Sequence, residues 1–173
     1  MALDITDSDV YAALTGFFGL IVPVATPILR GQQNRVPMPS ADFVLMTALG
    51  AERIGTNADA VQFSSGAYTA AVTSDYRYRV QADFYGGANS EAWAMAAELL
   101  WRDGIAWDSM PSNIKPLYSE GLQQLPIIGA EDQWIRRWTL TLVLDYRPTW
   151  TQLTNTAASL TVDLVPVEVD FAP

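Results

Sequence analysis

The sequence predicts an α+β fold: a mixed, mostly antiparallel β-sheet with one or two α-helices packed on one face. Three observations carry that expectation. Over residues 76–85 the chain alternates, with Tyr76, Tyr78, Val80, Ala82 and Phe84 on one side and Arg77, Arg79, Gln81 and Asp83 on the other. A period of two marks a strand with one buried face and one that meets water or a partner. Beyond Gly86-Gly87 the period becomes helical, and Trp93, Ala96, Ala97, Leu100 and Trp101 form one stripe. A second long alternation covers residues 133–147, with Trp134, Arg136, Trp138, Leu140, Leu142, Leu144 and Tyr146 opposed to Ile135, Arg137, Thr139, Thr141, Val143 and Asp145.

The elements follow in order. Thr6 or Ser8 caps a first helix, and Asp7 and Asp9 complement the positive end of its dipole. Val10, Leu14, Phe17, Phe18 and Ile21 recur at helical spacing, and the helix should end near Val22, before Pro23. Residues 23–39 hold prolines at 23, 27, 37 and 39 and read as an extended arm. A strand is expected at 42–49, with shorter candidates at 52–57 and 60–63, and a mobile hairpin or loop at 64–74. Asp103-Gly104 should stop the second helix. Residues 105–132, broken by Pro111, Pro116, Gly121, Pro126 and Gly129, read as irregular, with a short helical turn near 111–117. Pro148 ends the second long strand, and a last strand at 159–169 contains Pro166, which suits a sheet edge.

Composition narrows the function classes. The 173 residues suggest a single domain, 1–173, with a core able to stand alone. The chain has no cysteine and no histidine. Disulfides, thiolate catalysis and most structural zinc sites are thereby excluded, and the commonest general base is missing. No metal or cofactor is expected. Ten basic against nineteen acidic residues give a formal charge of −9. That balance suits solubility, or a surface that nucleic acid passes without sticking; it does not suit a phosphate grip. Residues 10–29 lack charge and are long enough for a membrane span. Glycines and prolines interrupt them, and acidic residues precede them where a signal peptide carries basic ones. No membrane span or targeting signal is expected, which leaves the cytoplasm of the producing cell as the default compartment.

Candidate sites are few. Tyr85-Gly86-Gly87 ahead of a helix invites a phosphate reading, but the spacing fits neither nucleotide fingerprint, and a tight strand-to-helix turn is the plainer account. Arg136-Arg137 beside Trp134 and Trp138 could stack nucleic-acid bases. On a strand, however, the two arginines point to opposite faces. Arg136 is expected to stack on the tryptophans or pair with Asp83 or Glu131. Carboxylate pairs such as Asp7 and Asp9 have nothing beside them to separate an acid from a base. No catalytic residue emerges, and the chain reads as a non-enzyme.

The order of features carries a resemblance. An N-terminal helix is followed by a Pro-rich arm, Arg35-Val-Pro-Met-Pro39, and the strand Asp42-Phe-Val-Leu-Met46. Then come Gln81-Ala-Asp83-Phe-Tyr85-Gly86, the Ala-rich helix, Ile114-Lys-Pro-Leu-Tyr118, and Gln133-Trp-Ile-Arg136-Arg137-Trp138. From about residue 6 to 170 this resembles the neck or tail terminator proteins of contractile-tailed bacteriophages. The resemblance implies a virion protein that forms a homo-oligomeric ring, expected to be a hexamer. The ring would terminate the tail tube and join it to the head-side connector or collar, with tube and sheath proteins as neighbours and DNA passing through the lumen. It also implies that Arg77, Arg79, Gln81, Asp83, Tyr85, Arg136, Arg137 and Trp138 define the fold or the contacts between ring subunits. Two rivals stand beside it: another neck or tube component, such as a head-completion or tail tube protein, and a carbohydrate-binding β module using Trp107 and Trp150, both expected in loops.

Overall fold

The computed structural model describes residues 3–32, 39, 42–64, 67–128 and 134–154. In chain order the elements are α1 (Asp7–Phe18), β1 (Ile28–Arg30), β2 (Phe43–Arg53), β3 (Ala58–Ser64), β4 (Ala67–Thr73) and β5 (Tyr76–Tyr85). They continue with α2 (Ser90–Trp101), α3 (Gly104–Ser109), β6 (Ile114–Gln124), β7 (Ile127–Ile128), β8 (Trp134–Ile135), β9 (Arg137–Tyr146) and β10 (Thr149–Thr154). The α+β expectation holds, with three helices among the described residues in place of one or two.

Five strands form the main sheet in the order β1-β2-β5-β9-β6, antiparallel except for the β1–β2 pair. At its centre β5 and β9 run in unbroken register from Tyr76 opposite Tyr146 to Tyr85 opposite Arg137. One face is covered by the helices. Val80, Ala82, Phe84, Leu140, Leu142 and Leu144 meet Val10, Leu14, Phe17 and Phe18 of α1 and Trp93, Ala97 and Trp101 of α2, all buried in one cluster. Aromatic edges lock the layers: Phe17 meets Trp101 at 5.2 Å and Phe18 meets Phe84 at 5.6 Å. The Trp101 indole N–H also donates to the Tyr118 carbonyl at 3.0 Å, tying α2 to β6.

Three central strands do not stop at the edge of the helix layer. A second sheet, ordered β10-β4-β3, is built by β3 following β2, β4 leading into β5, and β10 following β9. The small sheet is therefore a continuation of the β2-β5-β9 ribbon beyond bends at residues 54–57, 74–75 and 147–148. Asp75 pins the bend: its carbonyl accepts from the Ile54 N–H at 3.0 Å and its carboxylate pairs with Arg147. Among the described residues, β3, β4 and β10 make extensive element contacts with one another alone.

The structure moves several boundaries. α1 stops at Phe18, because the approach to Pro23 tightens the chain into i→i−3 bonds from Leu20 to Phe17 and from Ile21 to Phe18. The arm expected at 23–39 contains β1, a parallel edge strand, and residues 33–38 lie outside the described residues. β2 runs on to Arg53 past an irregularity between Ala48 and Gly50, where Gly50 takes φ of +136°. The candidate at 52–57 divides accordingly between the end of β2 and a turn. At 64–74 the hairpin alternative holds in part, since β4 pairs antiparallel with β3, which contains the strand expected at 60–63; the region read as irregular after residue 104 holds α3 and β6. α2 ends at Trp101, directly ahead of Asp103-Gly104 as expected, and Asp103 also caps α3 by accepting the Ile105 N–H at 3.2 Å. Pro116 is tolerated in β6 because that strand lies at the sheet edge, and Pro116 and Gly121 fall where its register shifts. β10 occupies the stretch after Pro148, so Trp150 is in a strand and Trp107 in a helix. The strand expected at 159–169 lies outside the described residues.

Candidate assembly surfaces

Two sheet surfaces lie outside the helix-packed core. The first is the far face of the main sheet. Its register builds four cross-strand rows: Leu45-Asp83-Thr139-Gln123, Thr47-Gln81-Thr141-Glu120, Gly50-Arg79-Val143-Tyr118 and Glu52-Arg77-Asp145-Lys115. The polar side of β5 thus joins one surface, but its members differ in exposure. Arg79 is exposed, Arg77 and Gln81 are partly covered, and Asp83 and Tyr85 are buried. The Gln81 amide donates to both Asp83 carboxylate oxygens, at 2.9 and 3.0 Å. Burial pushes the Asp83 carboxyl above the usual carboxylate range, while Gln81 and Arg137 pull it back. In the outermost row Arg77 approaches Glu52 at 3.8 Å. The Arg77 Nε and the Asp145 Oδ1 are buried with no hydrogen-bond partner among the described residues.

Arg136 and Arg137 lie apart, and the strand expected at 133–147 is broken between β8 and β9 at Arg136. Arg137 donates to the Leu125 carbonyl at 3.2 Å, and Arg136, in the kink between β8 and β9, reaches the Gly87 carbonyl at 3.5 Å. The expected Arg136–Asp83 pair does not form, and Glu131 lies outside the described residues. Trp138 packs on the helix side, against the core, whereas Trp134 is exposed. Trp134 and Arg136 instead border a cleft of about 680 Å³ with Asp42, Phe43, Tyr85 and Gly86. Phe43 and Tyr85 stack there at 4.4 Å. The turn itself is filled by the chain: Asp42 accepts from the Gly87 N–H at 3.2 Å, taking a place an anion would need. Gly86 has φ of +146°, and a Cβ there would lie 2.3 Å from the Asp42 Cγ. The strand-to-helix turn reading holds.

The second surface is the small sheet, of which the sequence offered a strand at 60–63 and a hairpin or loop at 64–74 but neither β10 nor the pairing of the three strands. On one face lie Asp59, Val61, Phe63, Tyr68, Ala70, Val72, Trp150 and Gln152; on the other lie Ala58, Ala60, Gln62, Thr69, Ala71, Thr73, Thr149, Thr151 and Leu153. The first face is aromatic and apolar, with Val61 63% and Phe63 62% exposed and the Phe63 and Tyr68 rings 4.8 Å apart. The second is uncharged and mostly small, apart from Gln62 and Leu153, which is 79% exposed. The available signal was the alternation of Tyr68, Ala70 and Val72 against threonines and alanine, muted because small residues fill both faces.

Trp107 and Trp150, the candidates for sugar contact, lie in α3 and in the small sheet. The Lys115 ammonium sits over the Trp107 ring at 4.9 Å. Among the described residues no His, Cys, Asp and Glu grouping suits a metal ion. No described helix is long and apolar enough to cross a membrane.

Among the described residues the small sheet keeps an exposed aromatic face that no other element covers, which suits a structural, contact-making protein. The chain belongs to the phage neck terminator protein family, whose profile matches residues 8–172. It is thus a structural protein of the phage neck and tail, a component of the virion that contacts other head or tail proteins. No curated protein matches the chain.

Proposed function

We propose that copies of this chain close into a ring, expected to be sixfold, that terminates the tail tube of a contractile-tailed phage and joins it to the head-side connector, leaving a lumen for DNA. The observation that carries this reading is the uncovered aromatic face of the small sheet. A three-stranded sheet gains stability by burying an apolar face, and Val61, Phe63 and Tyr68 gain that cover from a neighbouring protein. The far face of the main sheet supports it too. There the exposed Arg79 presents a charge that a second subunit would pair. Tyr85, Arg136 and Arg137 lie at the end of that surface, beside the cleft, and Trp138 supports it from the core side. The described strands of the small sheet carry no lysine or arginine, so a phosphate backbone passing them finds no cation to hold. Tube, sheath and connector proteins are the further partners. The work is assembly, not catalysis.

Light scattering of the purified protein together with micrographs of virions tests the proposal. A cyclic oligomer and a single ring at the head-proximal end of the tube are expected. Virions with intact necks that lack the chain would refute it.

A further inference from the structure

We infer that the ring closes by strand pairing between copies: the free edge of β3 in one copy adds, in parallel, to the distal edge of β10 in the next. The inference rests on the ring reading above and names its joint. Among the described residues β3 pairs with β4 alone, and its other edge presents backbone N–H and C=O groups that no described strand takes up. Edges of this kind are ordinarily blunted by proline, lysine or a bulge. β3 has none of these, and Asp59 is its one charged residue.

The opposite edge of the same sheet is half used. At its start Leu3 bridges Trp150, the Asp4 N–H donates to the Thr149 carbonyl at 3.0 Å, and the Asp4 carboxylate accepts from the Thr149 N–H at 2.6 Å. From Thr151 onward that side of β10 is unpaired among the described residues.

Geometry selects a second copy as the occupant of both edges. β3 and β10 each run antiparallel to β4 and are therefore parallel to each other. Rotation about a ring axis can place β10 of the next copy alongside β3 in that same parallel sense. A two-fold β3–β3 contact would be antiparallel and would leave β10 open. A foreign strand would satisfy one edge and leave the other. The head-to-tail joint consumes one edge of each kind per copy, as a closed heterologous ring requires. Side chains are compatible: β10 carries no charge to oppose Asp59, and its Trp150 and Gln152 extend the face on which Val61 and Phe63 lie.

The absence of native cysteine makes a disulfide test clean. Ala60→Cys and Gln62→Cys in β3, and Thr151→Cys and Leu153→Cys in β10, place thiols on one face of the sheet at exposed positions. Double variants with one site in each strand are carried into virions, oxidised, and run without reductant. The expected result is a ladder of covalent multimers ending at the ring number, with each single variant remaining monomeric. If 60 links 151, then 62 links 153, the pattern of parallel strands. Covalent dimers from a β3 single variant, or no β3–β10 link in virions holding the normal amount of the chain, would overturn the inference. A ring still visible in such virions would leave the ring reading standing, whereas its absence from wild-type necks would strike that reading instead. Hydrogen exchange on the wild-type protein gives a readout without substitution. Amides of β3 and of the distal part of β10 should exchange at least tenfold more slowly in assembled necks than in the free chain, and unchanged rates would contradict the joint.

Discussion

Replacing Phe63 by serine should separate assembly from folding. Phe63 lies near the tip of β3 and is 62% exposed in the isolated chain. A phenylalanine carries roughly 200 Å² of accessible surface, so about 120 Å² awaits a neighbour. At about 25 cal/mol per Å², covering it is worth about 3 kcal/mol per joint, or roughly a hundredfold in the association constant. The isolated fold has much less to lose, since the ring makes a tilted contact with Tyr68 and is otherwise mostly in water. A loss below about 1 kcal/mol is expected there, a shift of a few degrees in Tm for a chain of this size. The assay pairs thermal melting of the free protein with quantification of the chain in purified virions. Met95→Ser, on the exposed side of α2, is the control. A Tm fall of about 10 °C with normal incorporation would refute the reasoning, because Phe63 would then be a core residue and not a docking residue.

Three further outcomes follow from the packing. Trp101→Phe removes the indole donor to the Tyr118 carbonyl and opens space beside Phe17, and should cost about 2–4 kcal/mol, read as a Tm drop of roughly 5–15 °C; an unchanged melt would contradict the α2–β6 tie. Gly86→Ala should destabilise by about 1–3 kcal/mol through its positive φ and the collision with Asp42. Gly87→Ala, where an added Cβ meets nothing within 4 Å, should cost clearly less, and equal effects would argue against the turn geometry. Asp83→Asn should alter the pH profile. Because burial raises the Asp83 pKa, the folded state holds that proton more tightly than the unfolded one. Its contribution therefore weakens as pH rises from the ordinary carboxylate range through the raised value. The variant should gain on wild type as pH rises above the ordinary carboxylate range, and a difference that does not change with pH would refute the assignment.

The core was legible where side chains are large and alternate. Residues 76–85, 90–101 and 137–146 announce themselves because bulky apolar residues face one way and polar ones the other. Where both faces carry small residues, as at Ala67–Thr73, or where a strand tolerates Pro116 and Gly121 by bulging at an edge, local pattern loses its meaning and pairing decides. The polar row of β5 was located correctly, yet its gradient from exposed Arg79 to buried Asp83 comes from neighbouring strands that local sequence does not reveal. The small sheet, the most suggestive surface of the molecule, was legible only in part: a strand was expected at 60–63, inside β3, whereas β10 and the pairing of the sheet became recognisable only as extensions of the central strands.

The most direct measurement is a symmetry-free reconstruction of the phage neck with this chain labelled. The account predicts one closed ring of copies at the head-proximal end of the tail tube, with the small sheets of neighbouring copies in contact. Label distributed along the tube, or a lone copy making no contact with another, would contradict it.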